Sequence, residues 1–228
     1  VMSRWEEELT DFEFLSFFSD DELKRFKQVL YRSTYKKNQQ LFAEGDKRER
    51  FFFLKKGYIK LEKSNHEANM LYINYVKPSE LFPYVGLFTE ENYRYSAYAL
   101  TDVSVYYLPV KEFESLIRYN TEQLMLVIKK LDQLTKRHQD RLQTISTNFA
   151  SDRVEQALHY LVQNFSVSQG DHWVIDVPMT MTELAKVSGT SRETVSQVFK
   201  KLKCDGIMTV AGREITIHDW KYFEEKSI

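Results

Sequence analysis

Cys204 is the only cysteine among 228 residues, so an intrachain disulfide framework is excluded. An intrachain iron–sulfur or zinc centre built on thiolates alone is excluded with it, because such a site needs about four. The five histidines, His66, His138, His159, His172 and His218, are scattered without metal-ligand spacing. No apolar run approaches the roughly 20 residues of a membrane span, and no signal peptide is visible. With a lone thiol, that predicts a cytoplasmic protein and no membrane partner. Val1 reads as a cloning remnant before a start at Met2. A Gly-rich phosphate loop and a nucleophile elbow are both missing. Asp20-Asp21-Glu22 and Glu224-Glu225 read as solvated faces rather than acid/base pairs. An enzyme is therefore not expected, and no cofactor or metal site is assigned. Excess charge is lacking too: 32 Lys and Arg stand against 33 Asp and Glu, for a net charge of −1. Any binding to nucleic acid must rest on a local basic face.

What is present divides into three textures. Residues 3 to about 30 read as short helical pieces, with Ser19-Asp20-Asp21-Glu22 as a helix start and Leu23, Phe26, Val29 and Leu30 at helical spacing. From about Tyr31 to Leu108, short β-rich runs alternate with turns: Gln40-Leu41-Phe42, Phe51-Phe52-Phe53-Leu54, Tyr58–Glu62, Met70–Val76, Tyr95–Leu100 and Val103–Leu108. That spacing predicts an antiparallel sandwich or barrel, with the aromatic residues as its core.

After Pro109 neither Gly nor Pro occurs up to Phe149, which predicts a long helix. Leu124, Ile128, Leu131, Thr135, His138, Leu142, Ile145 and Phe149 follow one another at spacings of 4, 3, 4, 3, 4, 3 and 4, a heptad seam. A two-fold mate is the simplest partner for it; packing on the chain's own β-domain is the alternative. Polar Asn148 to Asp152 forms a short hinge. Val154, Leu158, Leu161, Val162 and Phe165 then mark a helix, Ser166 to Asp171 a loop and Trp173 to Val177 a strand.

The stretch Met181 to Leu202 carries the chemistry. Thr182 is suited to cap a short helix bearing Leu184, Ala185 and Val187, and Gly189 supplies the positive φ of a tight turn. Ser191 caps a second helix whose Val195, Val198, Phe199 and Leu202 face inward. Arg192, Glu193, Ser196, Gln197 and Lys200 are left outward. This is helix-turn-helix geometry, in which the start of the second helix enters the DNA major groove. Arg192 suits guanine, Glu193 cytosine and Gln197 adenine. Ser191, Thr194, Ser196, Lys200, Lys201 and Arg213 are candidates to position the protein on phosphates. Ile207–Val210, a turn at Ala211-Gly212-Arg213 and Ile215–Ile217 read as a hairpin wing. From Thr182 to Arg213 there are six basic residues (Lys186, Arg192, Lys200, Lys201, Lys203, Arg213) against Glu183, Glu193 and Asp205, so this face is basic.

Gly189-Thr190-Ser191-Arg192-Glu193-Thr194-Val195 closely resembles the recognition-helix signature of the Crp/Fnr transcription regulators. Phe53–Lys60 resembles that family's β-roll strand and turn. Leu81-Phe82-Pro83 and Ala99–Asp102 resemble the Gram-positive branch that regulates the arginine deiminase pathway. The resemblance implies an α+β fold: a double-stranded β-roll sensor over 1–109, a dimerisation helix over 110–149 and a winged helix-turn-helix over 150–228. It implies a homodimer on double-stranded DNA, half-sites related to TGTGA, and RNA polymerase as a further partner.

The departures from the family pattern concern the ligand. Where cyclic-AMP-binding members carry Gly-Glu and Arg-Ser, this chain has Pro83-Tyr84 and Tyr95-Ser96, with Arg94 one residue off. Gln197 replaces a second recognition-helix arginine. Cyclic AMP is therefore not an expected effector. Tyr84, Arg94, Tyr95, Ser96, His138 and Gln139 are candidates to hold another small molecule; the alternatives are that the aromatics simply fill the pocket or that the protein acts without a ligand. A rival functional class is a sensing module that works mainly through protein contacts.

Overall fold

A computed structural model describes residues 12–64, 71–145 and 149–224, with the side chains of 64, 71–72 and 140–145 outside the description. The readings at His66 and at the side chains of Leu142 and Ile145 lie outside it. By compactness the chain divides into two units, Val1–Lys136 and Arg137–Ile228.

In the first unit a 3₁₀ turn, Glu13–Phe17, precedes helix α1, Asp20–Gln28. Ser19 closes a capping box: its hydroxyl accepts from the Glu22 N–H, and the Glu22 carboxylate accepts from the Ser19 N–H. Among the described residues eight strands follow: β1 (Tyr31–Tyr35), β2 (Gln40–Phe42), β3 (Arg50–Lys56), β4 (Ile59–Ser64), β5 (Leu71–Val76), β6 (Leu81–Phe82), β7 (Ser96–Ala99) and β8 (Val103–Pro109). They form two four-stranded antiparallel sheets, ordered β1-β8-β3-β6 and β2-β7-β4-β5. β1 and β6 had no signature in the sequence. Tyr31–Tyr35 is a mostly exposed strand at a sheet edge, so it carries little apolar alternation.

Strand β3 explains the layering. Phe51, Phe52, Phe53 and Leu54 are all fully buried. Side chains alternate across a strand, so a continuous apolar run must be covered on both faces. Phe52 and Leu54 enter the interior of the roll with Phe42, Ile59, Leu61, Phe82, Tyr93 and Tyr95. Phe51 and Phe53 enter a second cluster formed with Phe14, Phe26 and Phe113 from the helical segments. Gly57 turns β3 into β4 at φ 87°, where a Cβ would collide with the Asp102 carbonyl.

The expected single helix after Pro109 is two: α2 (Val110–Ile117) and α3 (Thr121–Ile145). Asn120 makes the break, its side-chain oxygen accepting from the Gln123 N–H at 3.1 Å. The Gln123 amide in turn donates to Phe14 O at 2.6 Å, tying α3 to the N-terminal turn. The heptad stripe is divided as well. Leu124 and Leu131, with Leu126 and Leu134, pack on the chain's own helical-side core. Ile128 is 55% exposed and Met125 44%. The Thr135 hydroxyl donates back to Leu131 O at 2.9 Å.

The second unit contains α4 (Ala150–Phe165), β9 (Ser166–Gln169), β10 (His172–Ile175), α5 (Met181–Ser188), α6 (Arg192–Cys204), β11 (Met208–Ala211), β12 (Glu214–Ile217) and α7 (Lys221–Glu224). Its antiparallel sheet is ordered β11-β12-β10-β9. Helix α4 begins where a polar hinge had been expected to continue to Asp152. The segment expected as a loop from Ser166 is strand β9, paired with β10 across a turn at Gly170.

Phe53 makes edge contacts to Phe12, Phe14, Phe26, Phe51 and Phe113. Phe53→Ala is expected to cost about 3–5 kcal/mol in chemical denaturation, by lost burial plus a cavity. Tyr119→Ala, at a position 89% exposed between α2 and α3, should stay within about 0.5 kcal/mol of wild type.

Candidate functional site

Two helices joined by a tight turn set the geometry in the second unit. The cap of α5 is Thr180, whose hydroxyl accepts from the Glu183 N–H at 3.1 Å. Thr182, expected as the cap, lies inside the helix. The pattern Thr180-x-x-Glu183 is the stronger start signal, since the third residue in is acidic. Gly189 ends α5 at φ 60° and ψ 40°, the left-handed conformation that glycine enters without strain. Ser188 is buried, its hydroxyl donating to Leu184 O at 2.7 Å. Ser191 caps α6, accepting from the Thr194 N–H at 3.2 Å.

Helix α6 buries Val195, Val198, Phe199 and Leu202. Arg192, Glu193, Ser196, Gln197, Lys200 and Lys201 are exposed, and Thr194 is half-buried. The Glu193 carboxyl is held below its usual range by hydrogen bonds from its own backbone N–H and from Ser191, helped by the Arg192 charge. Glu193 is thus an ionised part of the cap. A carboxylate offers about four lone-pair sites, so it retains capacity to accept from a ligand. Lys201 Nζ lies 3.6 Å from Glu155 Oε1 of α4. Strands β11 and β12 form the hairpin, with Ala211 opposite Glu214, Gly212 at φ 61° and exposed Arg213 at its tip.

The six candidate effector residues are not equivalent. Tyr84 packs in the helical-side cluster, edge-on to Phe51. Burial, helped by Glu80 and Glu13, raises its phenol well above the usual value, so it stays neutral. Tyr95 lies instead in the roll interior with Phe42, Phe82 and Tyr93. Arg94 is exposed and paired with Glu90. The Ser96 hydroxyl accepts from the Glu44 N–H at 2.9 Å. The structure therefore places Tyr84 and Tyr95 in different clusters. His138 is half-buried and Gln139 exposed, and both belong to the second unit.

A residue the sequence reading overlooked ties down this loop. Arg48, nearly fully buried, pairs with Glu114 of α2 at 2.8 Å. Its Nε donates to Glu90 O at 3.1 Å, and the Phe88 N–H donates to the same Glu114 oxygen at 2.8 Å. The loop from Gly86 to Glu90 is thus latched to α2 by the protein's own charges. Arg48 and Glu114 are 66 positions apart, and no local pattern links them.

Residues 32–120 match the family model for the cyclic nucleotide-binding domain, and residues 152–226 match the Crp-like helix-turn-helix domain. The chain belongs to the Crp/Fnr family of transcription regulators. It is 25% identical over 187 residues to a global nitrogen regulator of Nostoc sp., covering 81% of this chain and 84% of that protein. It is 27% identical over 184 residues to the transcriptional regulator ArcR of Staphylococcus epidermidis, covering 80% of each. Its fold resembles that of FixK2 from Bradyrhizobium japonicum, with a TM-score of 0.74 at 19% identity over 86% of this chain and 96% of that one. It also resembles CooA from Carboxydothermus hydrogenoformans, with a TM-score of 0.72 at 19% identity over 100% of this chain and 97% of the other. This regulator therefore has a Crp-type DNA-binding domain, and no helix among its described residues is long and apolar enough to cross a membrane.

Proposed function

We propose that this regulator binds DNA as a homodimer, reads a two-fold inverted repeat with the exposed face of α6, and does so without cyclic AMP. The observation that carries the DNA reading is the set Arg192, Glu193, Ser196, Gln197 and Lys200, all exposed at the capped start of a helix whose other face is buried. Arg192 and Gln197 suit bidentate contacts to guanine and adenine, and Glu193 can accept from cytosine while serving the cap. Ser191, Thr194, Ser196, Lys200 and Arg213 supply the positioning contacts to phosphate. The same basic, exposed face favours this reading over a module that works through protein contacts alone. Arg192→Ala is expected to weaken the cognate site by about 1–3 kcal/mol and relax one guanine. Selection from random DNA checks it: an unchanged motif removes the assigned role.

For assembly, Met125 and Ile128 supply an apolar face of α3 that the chain's own core leaves uncovered. A second copy is its partner, and half-sites then lie one helical turn apart, about 10 base pairs centre to centre. Ile128→Asp should yield monomers with little specific affinity, because the charge enters the two-fold contact but not the protomer's core. Light scattering that shows a wild-type monomer at micromolar concentration rejects the dimer.

Effector independence rests on the loop and the roll interior. A bound cyclic phosphate needs a cation and oriented N–H donors to offset its desolvation. Here Pro83 lacks an N–H, Tyr84 is packed on Phe51, Arg94 is engaged by Glu90, and Phe42, Phe52, Phe82, Tyr93 and Tyr95 belong to the core of the roll. Titration calorimetry with cyclic AMP should show no binding in the micromolar range. Binding that is lost in Arg94→Ala would reverse this conclusion.

A further inference from the structure

We infer that Glu155 is a positioning residue of the DNA-reading helix, and that Lys201 is its strut to α6 rather than a phosphate-binding cation. This rests on the DNA reading above and assigns the work within that surface. Glu155 sits on α4, and its side chain is only 10% exposed. A buried carboxylate requires partners, and this one draws them from two other elements. Its Oε2 accepts from the Tyr222 hydroxyl of α7 at 2.9 Å, and its Oε1 faces Lys201 Nζ of α6 at 3.6 Å. Helix α7 is fixed in turn by Asp219, which accepts from the Tyr222 N–H, and by fully buried Phe223. Three elements distant in sequence meet at one carboxylate.

The geometry of α6 gives that junction a consequence. Its buried stripe of Val195, Val198, Phe199 and Leu202 decides which side faces inward, and a polar contact on one flank adds a directional restraint to that packing. At about 100° per residue, Arg192 and Lys201 lie on opposite flanks of the exposed face, half a turn apart. A polar tie at Lys201 therefore refines the azimuth of the base-reading residues. An ammonium already facing a carboxylate adds little further counterion release on DNA.

The two roles of Lys201 predict opposite results. The test uses full-length protein, a duplex carrying the motif that the wild type selects from random DNA, and a scrambled duplex, titrated from about 50 to 200 mM salt. Lys201 is 64% exposed, so Lys201→Met should fold normally. Glu155→Gln keeps an acceptor for Tyr222 while removing the charge. Circular dichroism checks both folds. For a strut, each variant lowers the ratio of cognate to scrambled affinity by about 5- to 10-fold, the salt slope stays at the wild-type value, and the double variant is no worse than either single one. For a phosphate cation, Lys201→Met flattens the slope by about 0.9 on both duplexes and leaves the ratio unchanged, while Glu155→Gln frees the lysine and tightens both. That second pattern overturns the inference, as does an unchanged ratio in Glu155→Gln. A wild type that selects no motif overturns the DNA reading itself and is recognised before any variant is made.

Discussion

Strand β3 divides the first unit into two cores, and much of the packing in that unit follows from the division. Four consecutive large apolar side chains cannot share one face of a strand, so the sheet containing β3 is covered on both sides. The roll closes on Phe52 and Leu54, and the helical segments close on Phe51 and Phe53. Inside the roll, Phe42 stacks on Tyr93 at 3.8 Å and Phe52 on Phe82 at 5.1 Å. On the other side of the same strand, Phe51 stacks on Phe113 of α2 at 3.8 Å. Helix α2 is thereby fixed where Glu114 can meet Arg48, so the latch on the loop depends on the strand beneath it.

The DNA-binding unit uses a different division of labour. Apolar burial orients α6, and polar groups at its start and near its end define it further. Ser191 and Glu193 order the first turn and keep negative charge at the positive end of the helix dipole. Glu155 and Tyr222 reach the other end through Lys201. With its lysine 64% exposed, this pair contributes little stability of its own, and its value lies in direction. A basic surface on a chain of nearly zero net charge needs that economy, because its cations are few and each must be placed.

Much of this was legible in residue order. The roll strands with strong alternation, the Ser19 and Ser191 caps, the Gly189 turn, the inward stripe of α6 and the wing are local features, governed by spacings of two, three or four residues. The misreadings were of two kinds. Asn120 and Thr180 are local caps that weaker neighbouring signals obscured: a long stretch free of Gly and Pro in one case, Thr182 in the other. The polar edge strand β1 belongs to the second kind. An edge strand needs a neighbour's hydrogen bonds rather than its own apolar face. A stripe of leucines records that something covers it, not whether the cover is the same chain or another.

The sequence by itself determined the class of element at nearly every position that mattered and the outward chemistry of α6, because helix and strand periods and caps act within a few residues. Tertiary structure alone decided that Leu124 and Leu131 turn to the protomer's own core while Ile128 does not. It also separated Tyr84 from Tyr95, joined Arg48 to Glu114, and brought Glu155, Lys201 and Tyr222 together. Those outcomes depend on which surfaces meet when distant segments pack, and buried charges then take the partners that packing brings within reach.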